Sequence, residues 1–83
     1  MTYKTKGTCS TLIDIEMEPD QHTIKSVAFT GGCNGNLKGI SSLVVGMKAE
    51  DVIARLKGIK CGFKPTSCPD QLARALEEIV QAQ

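Results

Sequence analysis

The chain has 83 residues, a formal net charge of +1, and acidic and basic side chains interspersed along its length. This length suits one small domain, predicted to span residues 1–83, and the even charge distribution argues against nucleic acid as a partner. No apolar run approaches the roughly 18 residues of a membrane span and no apolar signal segment opens the chain, so we expect a cytoplasmic protein without membrane contact.

The first part of the sequence predicts a β-hairpin. Residues 9–17 alternate, with apolar side chains such as Ile13 and Ile15 on one face and acidic ones on the other, which is the pattern of a half-buried strand. The letters EPDQH then supply the proline and aspartate of a turn. The letters TIKSVAF are β-branched and apolar, as in a return strand. The opening letters TYKTKGT are compatible with a short third strand.

Three helices are predicted in the rest of the sequence. Residues 37–47 place apolar side chains at helical spacing, with Gly39 inside at a cost of about 1 kcal/mol relative to alanine and Gly46 as a C-cap. Residues 48–58 predict a short helix with acids in its first turn. Residues 68–82 predict the last helix, with a buried stripe of Leu72, Ala75, Leu76 and Ile79. Strands followed by helices indicate an α+β fold: a two- to three-stranded antiparallel sheet with three helices packed on one face.

The four cysteines are the most informative residues for function. Cys9, Cys33, Cys61 and Cys68 all fall at the ends of predicted elements or in loops. In a reducing cytosol, four cysteines in a small domain are more typical of metal ligands or reactive thiols than of disulfides. None forms the C-x-x-C pair of a zinc ribbon. A shared metal site, a redox pair and buried structural cysteines therefore all stay open.

Two of the cysteines are predicted at helix starts, where unpaired amides and the helix dipole favour a thiolate. Cys33 precedes the first helix and Cys68 begins the last one. In one capping scheme Ser67 is the N-cap and Asp70 completes a variant of the capping box. In the other, Cys68 is the N-cap and Pro69 takes the first helical position.

The only histidine offers no nucleophilic pair. His22 lies in the predicted hairpin turn, where surface exposure is the ordinary situation, and the turn should be far from Cys9. No catalytic residue is predicted, and the sequence favours a binding protein over an enzyme.

Three segments together resemble a known family. TSCPD at residues 66–70, GGCNGNLKGIS at 31–41 and LKGIKCG at 56–62 are similar to the TSCPD domain over nearly the whole chain. That domain occurs as a stand-alone protein of about this size and near the C-terminus of some ribonucleotide reductases, notably cobalamin-dependent ones. The resemblance implies a metal site at Cys9, Cys33, Cys61 and Cys68 and an accessory link to ribonucleotide reduction. It does not imply reductase catalysis, because 83 residues cannot hold the barrel and radical machinery of such an enzyme.

A weaker resemblance concerns the NifU-type iron–sulfur scaffold proteins. In those, three cysteines meet at one end of the fold, from a strand start, a glycine loop and a helix start. Cys9, Cys33 and Cys68 match these places in order, and Cys61 could complete a closed site of four sulfurs. The scaffold proteins carry an aspartate two residues after the first cysteine, where this chain has Thr11, and this departure argues against cluster transfer.

The favoured function is a small metal-binding accessory domain in which the four cysteines hold zinc or an iron–sulfur cluster. Its expected partner is ribonucleotide reductase or another protein. The alternative is a thiol redox or iron–sulfur cluster carrier protein that uses Cys33 and Cys68. A third hypothesis is an α+β domain that forms a homo-oligomer and carries its cysteines incidentally.

Overall fold

The computed structural model describes residues 2–5, 10–31, 34–59 and 66–82. Within these ranges the chain forms three strands followed by three helices. The elements are β1 (Thr2–Lys4), β2 (Ser10–Met17), β3 (Ile24–Gly31), α1 (Asn34–Val44), α2 (Ala49–Leu56) and α3 (Cys68–Gln81). The predicted α+β class is confirmed, and so is the short third strand at the start of the chain.

The sheet is antiparallel, in the order β1-β2-β3. Ile13 stands in its centre, paired with Tyr3 on β1 and with Phe29 on β3. Ile13 and Ile15 are buried, whereas the acidic residues that alternate with them along β2 are exposed. The period-two pattern of the sequence therefore identified the buried face of the central strand correctly.

One hydrophobic core lies between this face of the sheet and the helices. It is almost entirely aliphatic, because the chain has no tryptophan and only three other aromatic residues, Tyr3, Phe29 and Phe63. Its buried side chains are Ile13, Ile15, Ile24, Val27, Val44, Ala49, Val52, Leu72, Ala75 and Leu76. Three of the four residues of the predicted α3 stripe are in this set, and the fourth, Ile79, packs against it. None of the helices in the described ranges is long and apolar enough to cross a membrane.

Helix α1 begins earlier than the apolar spacing predicts, at Asn34 rather than Leu37. It ends at Val44, just before Gly46, the glycine predicted to cap it. The backbone beyond this end pairs with β3: the Gly46 N–H donates to the Ile24 carbonyl at 2.8 Å, and the Ile24 N–H donates to the Met47 carbonyl at 3.0 Å. Gly46 has φ of +85°, which glycine adopts at little cost.

Gly39 lies in the interior of α1, where packing does not require a glycine. A Cβ atom built at this position would meet nothing within 4 Å. We therefore expect Gly39→Ala to raise the free energy of unfolding by about 1 kcal/mol, because alanine loses less backbone entropy in a helix. Urea unfolding measures this change.

The matched control is Gly46→Ala, which also has an open position for a Cβ but a positive φ. It should lower the free energy of unfolding by about 1 kcal/mol, since left-handed backbone is strained in alanine. A loss of stability in Gly39→Ala would contradict the prediction.

Candidate metal centre

The start of α3 places the cysteine of the TSCPD segment. Ser67 is the N-cap: its backbone is extended, and its Oγ accepts the Asp70 N–H at 3.1 Å. Cys68 is therefore the first helical residue and Pro69 the second, and Cys68 is half-buried. The scheme with Ser67 as cap is confirmed. The scheme with Cys68 as cap is wrong, because the serine hydroxyl one residue earlier satisfies the amide that a cap must cover.

The Asp70 side chain bonds to other partners than a capping box predicts. It is 1% exposed, and both its oxygens accept hydrogen bonds from outside the cap. Oδ1 accepts the Gly58 N–H at 2.6 Å. Oδ2 accepts the Thr66 hydroxyl and, at 2.9 Å, the Arg74 Nε–H. Only the pairing with Arg74 has a sequence signal, the i,i+4 spacing on a helix.

These bonds keep Asp70 ionised in a buried place. Burial by itself raises the pKa of a carboxyl group, because it penalises the charged form. The hydrogen bonds from Thr66 and Gly58, together with the hydrogen bond and positive charge of Arg74, outweigh burial and hold the pKa of Asp70 below its usual range. Asp70 is therefore a buried carboxylate whose acceptors are occupied by donors of the protein itself.

The same hydrogen bonds tie the end of α2 to the start of α3. The Ser67 hydroxyl donates to the Ile59 carbonyl at 2.6 Å, and Asp70 reaches Gly58 beside it. The chain segments on either side of residues 60–65 are thus held together by side chains at the start of α3. In the sequence, Cys61 lies between the two segments that these bonds join.

Two further cysteines adjoin the free end of the hairpin in sequence. Ser10, the first residue of β2, pairs with Gly31, the last residue of β3. Cys9 directly precedes Ser10, and α1 begins with the residue that directly follows Cys33. The strand start and helix start predicted beside these two cysteines are therefore confirmed.

The end of α3 lies near the turn half of β2, because Ile79 lines a shallow cavity together with Met17. The start of α3 is bonded instead to Gly58, just after α2, whereas the first residue of α2, Ala49, donates its N–H to the His22 carbonyl in the hairpin turn. The start of α3 therefore lies away from the turn, at roughly 13 Å along α2.

Tyr3 on β1 is near the same helix. Its phenol interacts electrostatically with Glu78, Arg74 and Asp70, so this part of the sheet faces α3. Burial raises the pKa of Tyr3, the negative charges of Glu78 and Asp70 raise it further, and Arg74 lowers it.

Of the predicted metal ligands, the structure describes only Cys68. Cys9, Cys33 and Cys61 lie outside the described residues. Among residues 2–5, 10–31, 34–59 and 66–82, no group of three or more His, Cys, Asp and Glu side chains could hold a metal ion. The four-cysteine site stays a prediction, supported by where the neighbouring residues of each cysteine lie.

The hairpin turn, at the opposite end of β2, carries a separate polar cluster. His22 Nδ1 lies 2.7 Å from Glu50 Oε2, and 44% of the His22 side chain is exposed, as predicted. Asp20 accepts the Thr23 hydroxyl and the Thr23 and His22 N–H groups, and these bonds hold the pKa of Asp20 well below its usual range. This cluster fixes the turn and lies away from Cys68.

The comparison with protein families gives one result. The model described as the TSCPD domain matches residues 1–80, which is nearly the whole chain. Comparisons with curated proteins and with solved structures found no match. The chain belongs to the TSCPD domain family.

Proposed function

We propose that the chain is a small metal-binding accessory domain in which Cys9, Cys33, Cys61 and Cys68 hold one zinc ion, or an iron–sulfur cluster in its place. One observation supports the proposal: the neighbours of the cysteines meet in two pairs. Ser10 pairs with Gly31 near Cys9 and Cys33 in the sequence, and the segments that flank Cys61 and Cys68 in the sequence are joined by the bonds of Gly58 and Ile59 to the start of α3.

The described member of the set fits this chemistry. Cys68 is a half-buried sulfur donor in the first turn of a helix, where the partial positive charge of the N-terminus favours a thiolate. Thiolates are soft ligands that suit zinc and iron–sulfur clusters. A set of four thiolates leaves no open position, which is typical of structural zinc rather than of catalytic zinc.

A structural role also suits the size of the domain. A chain of this length buries only about 60–65% of its unfolded surface, and small domains often gain stability from a bound metal. As a member of the TSCPD domain family, the chain would act through a partner protein, with ribonucleotide reductase as the first candidate.

The experiment is metal analysis of reduced protein prepared without oxygen, together with two variants. We expect about one zinc per chain, or iron and sulfide in its place. Cys68→Ser should lose most of the metal. His22→Gln should retain it, because that variant removes only the surface His22–Glu50 pair. Less than about 0.2 metal per chain in the unmodified protein would contradict the proposal.

The second candidate is a thiol redox or cluster carrier protein that uses Cys33 and Cys68. The observation that favours it is that α3 begins at Cys68, and α1 begins with the residue that directly follows Cys33 in the sequence. Alkylation of the metal-free protein as a function of pH tests it. A carrier of this kind requires at least one of the two thiols to react faster near neutral pH than an ordinary thiol does, so ordinary rates at both would exclude the redox form.

A further inference from the structure

A set of described residues ties the end of α2 to the start of α3, and we call it the Asp70 clasp. Its members are Gly58, Ile59, Thr66, Ser67 and Asp70. The Gly58 N–H and the Thr66 hydroxyl donate to the Asp70 carboxylate, and the Ser67 hydroxyl donates to the Ile59 carbonyl. Gln71 adds a fourth bond, from its Nε2 to Thr66 Oγ1 at 2.9 Å.

The hydrogen bonds of the clasp occupy both carboxylate oxygens of Asp70, so Asp70 is not itself a candidate metal ligand. Its side chain is 1% exposed, and each oxygen already accepts from a protein donor, with Arg74 as the third. A carboxylate that is buried and occupied in this way orients its neighbours. Among the described residues, Cys68 has metal-binding chemistry and stands two residues earlier in the same helical turn.

We infer that Asp70 is a positioning residue, which fixes the first turn of α3 against the end of α2 and so sets where the Cys68 thiolate stands. The inference rests on the proposed function, since it assigns Asp70 the outer-shell role for that metal site. Groups that orient metal ligands without touching the metal typically change metal affinity 10- to 100-fold when they are replaced. The clasp is the described feature that could supply such orientation at Cys68.

The test measures zinc affinity by competition, and cobalt(II) absorption, for the full chain and four variants. Asp70→Asn and Thr66→Val each remove part of the clasp, and we expect both to weaken zinc binding about 10- to 100-fold and to change the cobalt–thiolate spectrum. Thr66→Ser keeps the hydroxyl donor and should restore wild-type affinity. Val44→Ala destabilises the core without removing a bond of the clasp, and should leave both the affinity and the spectrum unchanged.

The outcomes separate positioning from general stability. Unchanged affinity in Asp70→Asn, or an equal loss in Val44→Ala, would overturn the inference. If the unmodified chain binds neither zinc nor cobalt, the zinc form of the proposed function fails on its own. Peptide-resolved alkylation of Cys68 then decides the inference: a rate in Asp70→Asn at least about threefold different from wild type supports positioning of the thiol, and equal rates refute it.

Discussion

Replacing Leu76 with alanine is expected to lower the free energy of unfolding by about 3 kcal/mol. Leu76 is fully buried in α3 and belongs to the core cluster with Leu72 and Ile13. Leucine-to-alanine changes in cores cost about 2–5 kcal/mol, through lost burial and the cavity left behind. A domain of this length has a total stability of about 4–12 kcal/mol, so the variant loses a large part of it. Urea unfolding measures the change, and the thermal midpoint should fall by roughly 15 °C.

The chain supplies a matched control for this substitution. Leu43, on α1, is 76% exposed, so Leu43→Ala removes the same atoms from an environment close to water. We expect a change within about 0.5 kcal/mol. A loss as large as that of Leu76→Ala would mean that Leu43 is covered in solution, and would contradict the burial that the structure assigns to it.

Much of the fold follows from local pattern. The alternation along β2, with Ile13 and Ile15 buried, has a period that only a strand satisfies. The stripe of α3, with Leu72 and Leu76 fully buried, has the helical period. Both elements are amphipathic, so the sequence alone shows which of their side chains are buried, whatever surface they pack against.

The end of α1 has a local signal, because Gly46 follows it and has a left-handed backbone. The partners of the next backbone groups have no such signal, since they lie on Ile24 of β3, about twenty residues earlier in the sequence. The apolar residue Met47 continues the helical spacing, yet its carbonyl accepts from the edge of the sheet instead. Tertiary hydrogen bonds of this kind override a periodic pattern because the backbone groups of an edge strand need partners.

Some features of the TSCPD segment could be predicted from the sequence, and others could not. The serine cap and the proline in the first turn follow from short-range rules. The role of Asp70 does not, because its partner Gly58 lies across the connection between α2 and α3. Acidic residues are common in the first turn of a helix because they interact favourably with the helix dipole. That ordinary explanation gave no reason to predict the hydrogen bonds of the Asp70 clasp. Convergence of the four cysteines depends on contacts between residues still farther apart in the sequence. Only the positions of the neighbouring strand and helix ends bear on it.

Removing bound metal from reduced protein is expected to lower the thermal midpoint by about 20 °C, if the proposed zinc site is correct. A ligand that binds only the folded state adds about 4 kcal/mol at a free concentration a thousand times its Kd. In a domain of this size, 1 kcal/mol shifts the midpoint by about 4–8 °C. Melting curves recorded without oxygen, first with zinc, then with excess chelator, then with zinc restored, measure the change and its reversibility.

Cys68→Ser is the control for this experiment, because it removes the proposed ligand at the start of α3 while leaving the Ser67 cap and Asp70 in place. Its midpoint should lie near that of the chelated wild-type protein, and neither chelator nor zinc should move it by more than a few degrees. Identical wild-type midpoints with and without chelator would contradict a stabilising metal. A chelator effect of equal size in Cys68→Ser would assign the metal to ligands other than Cys68.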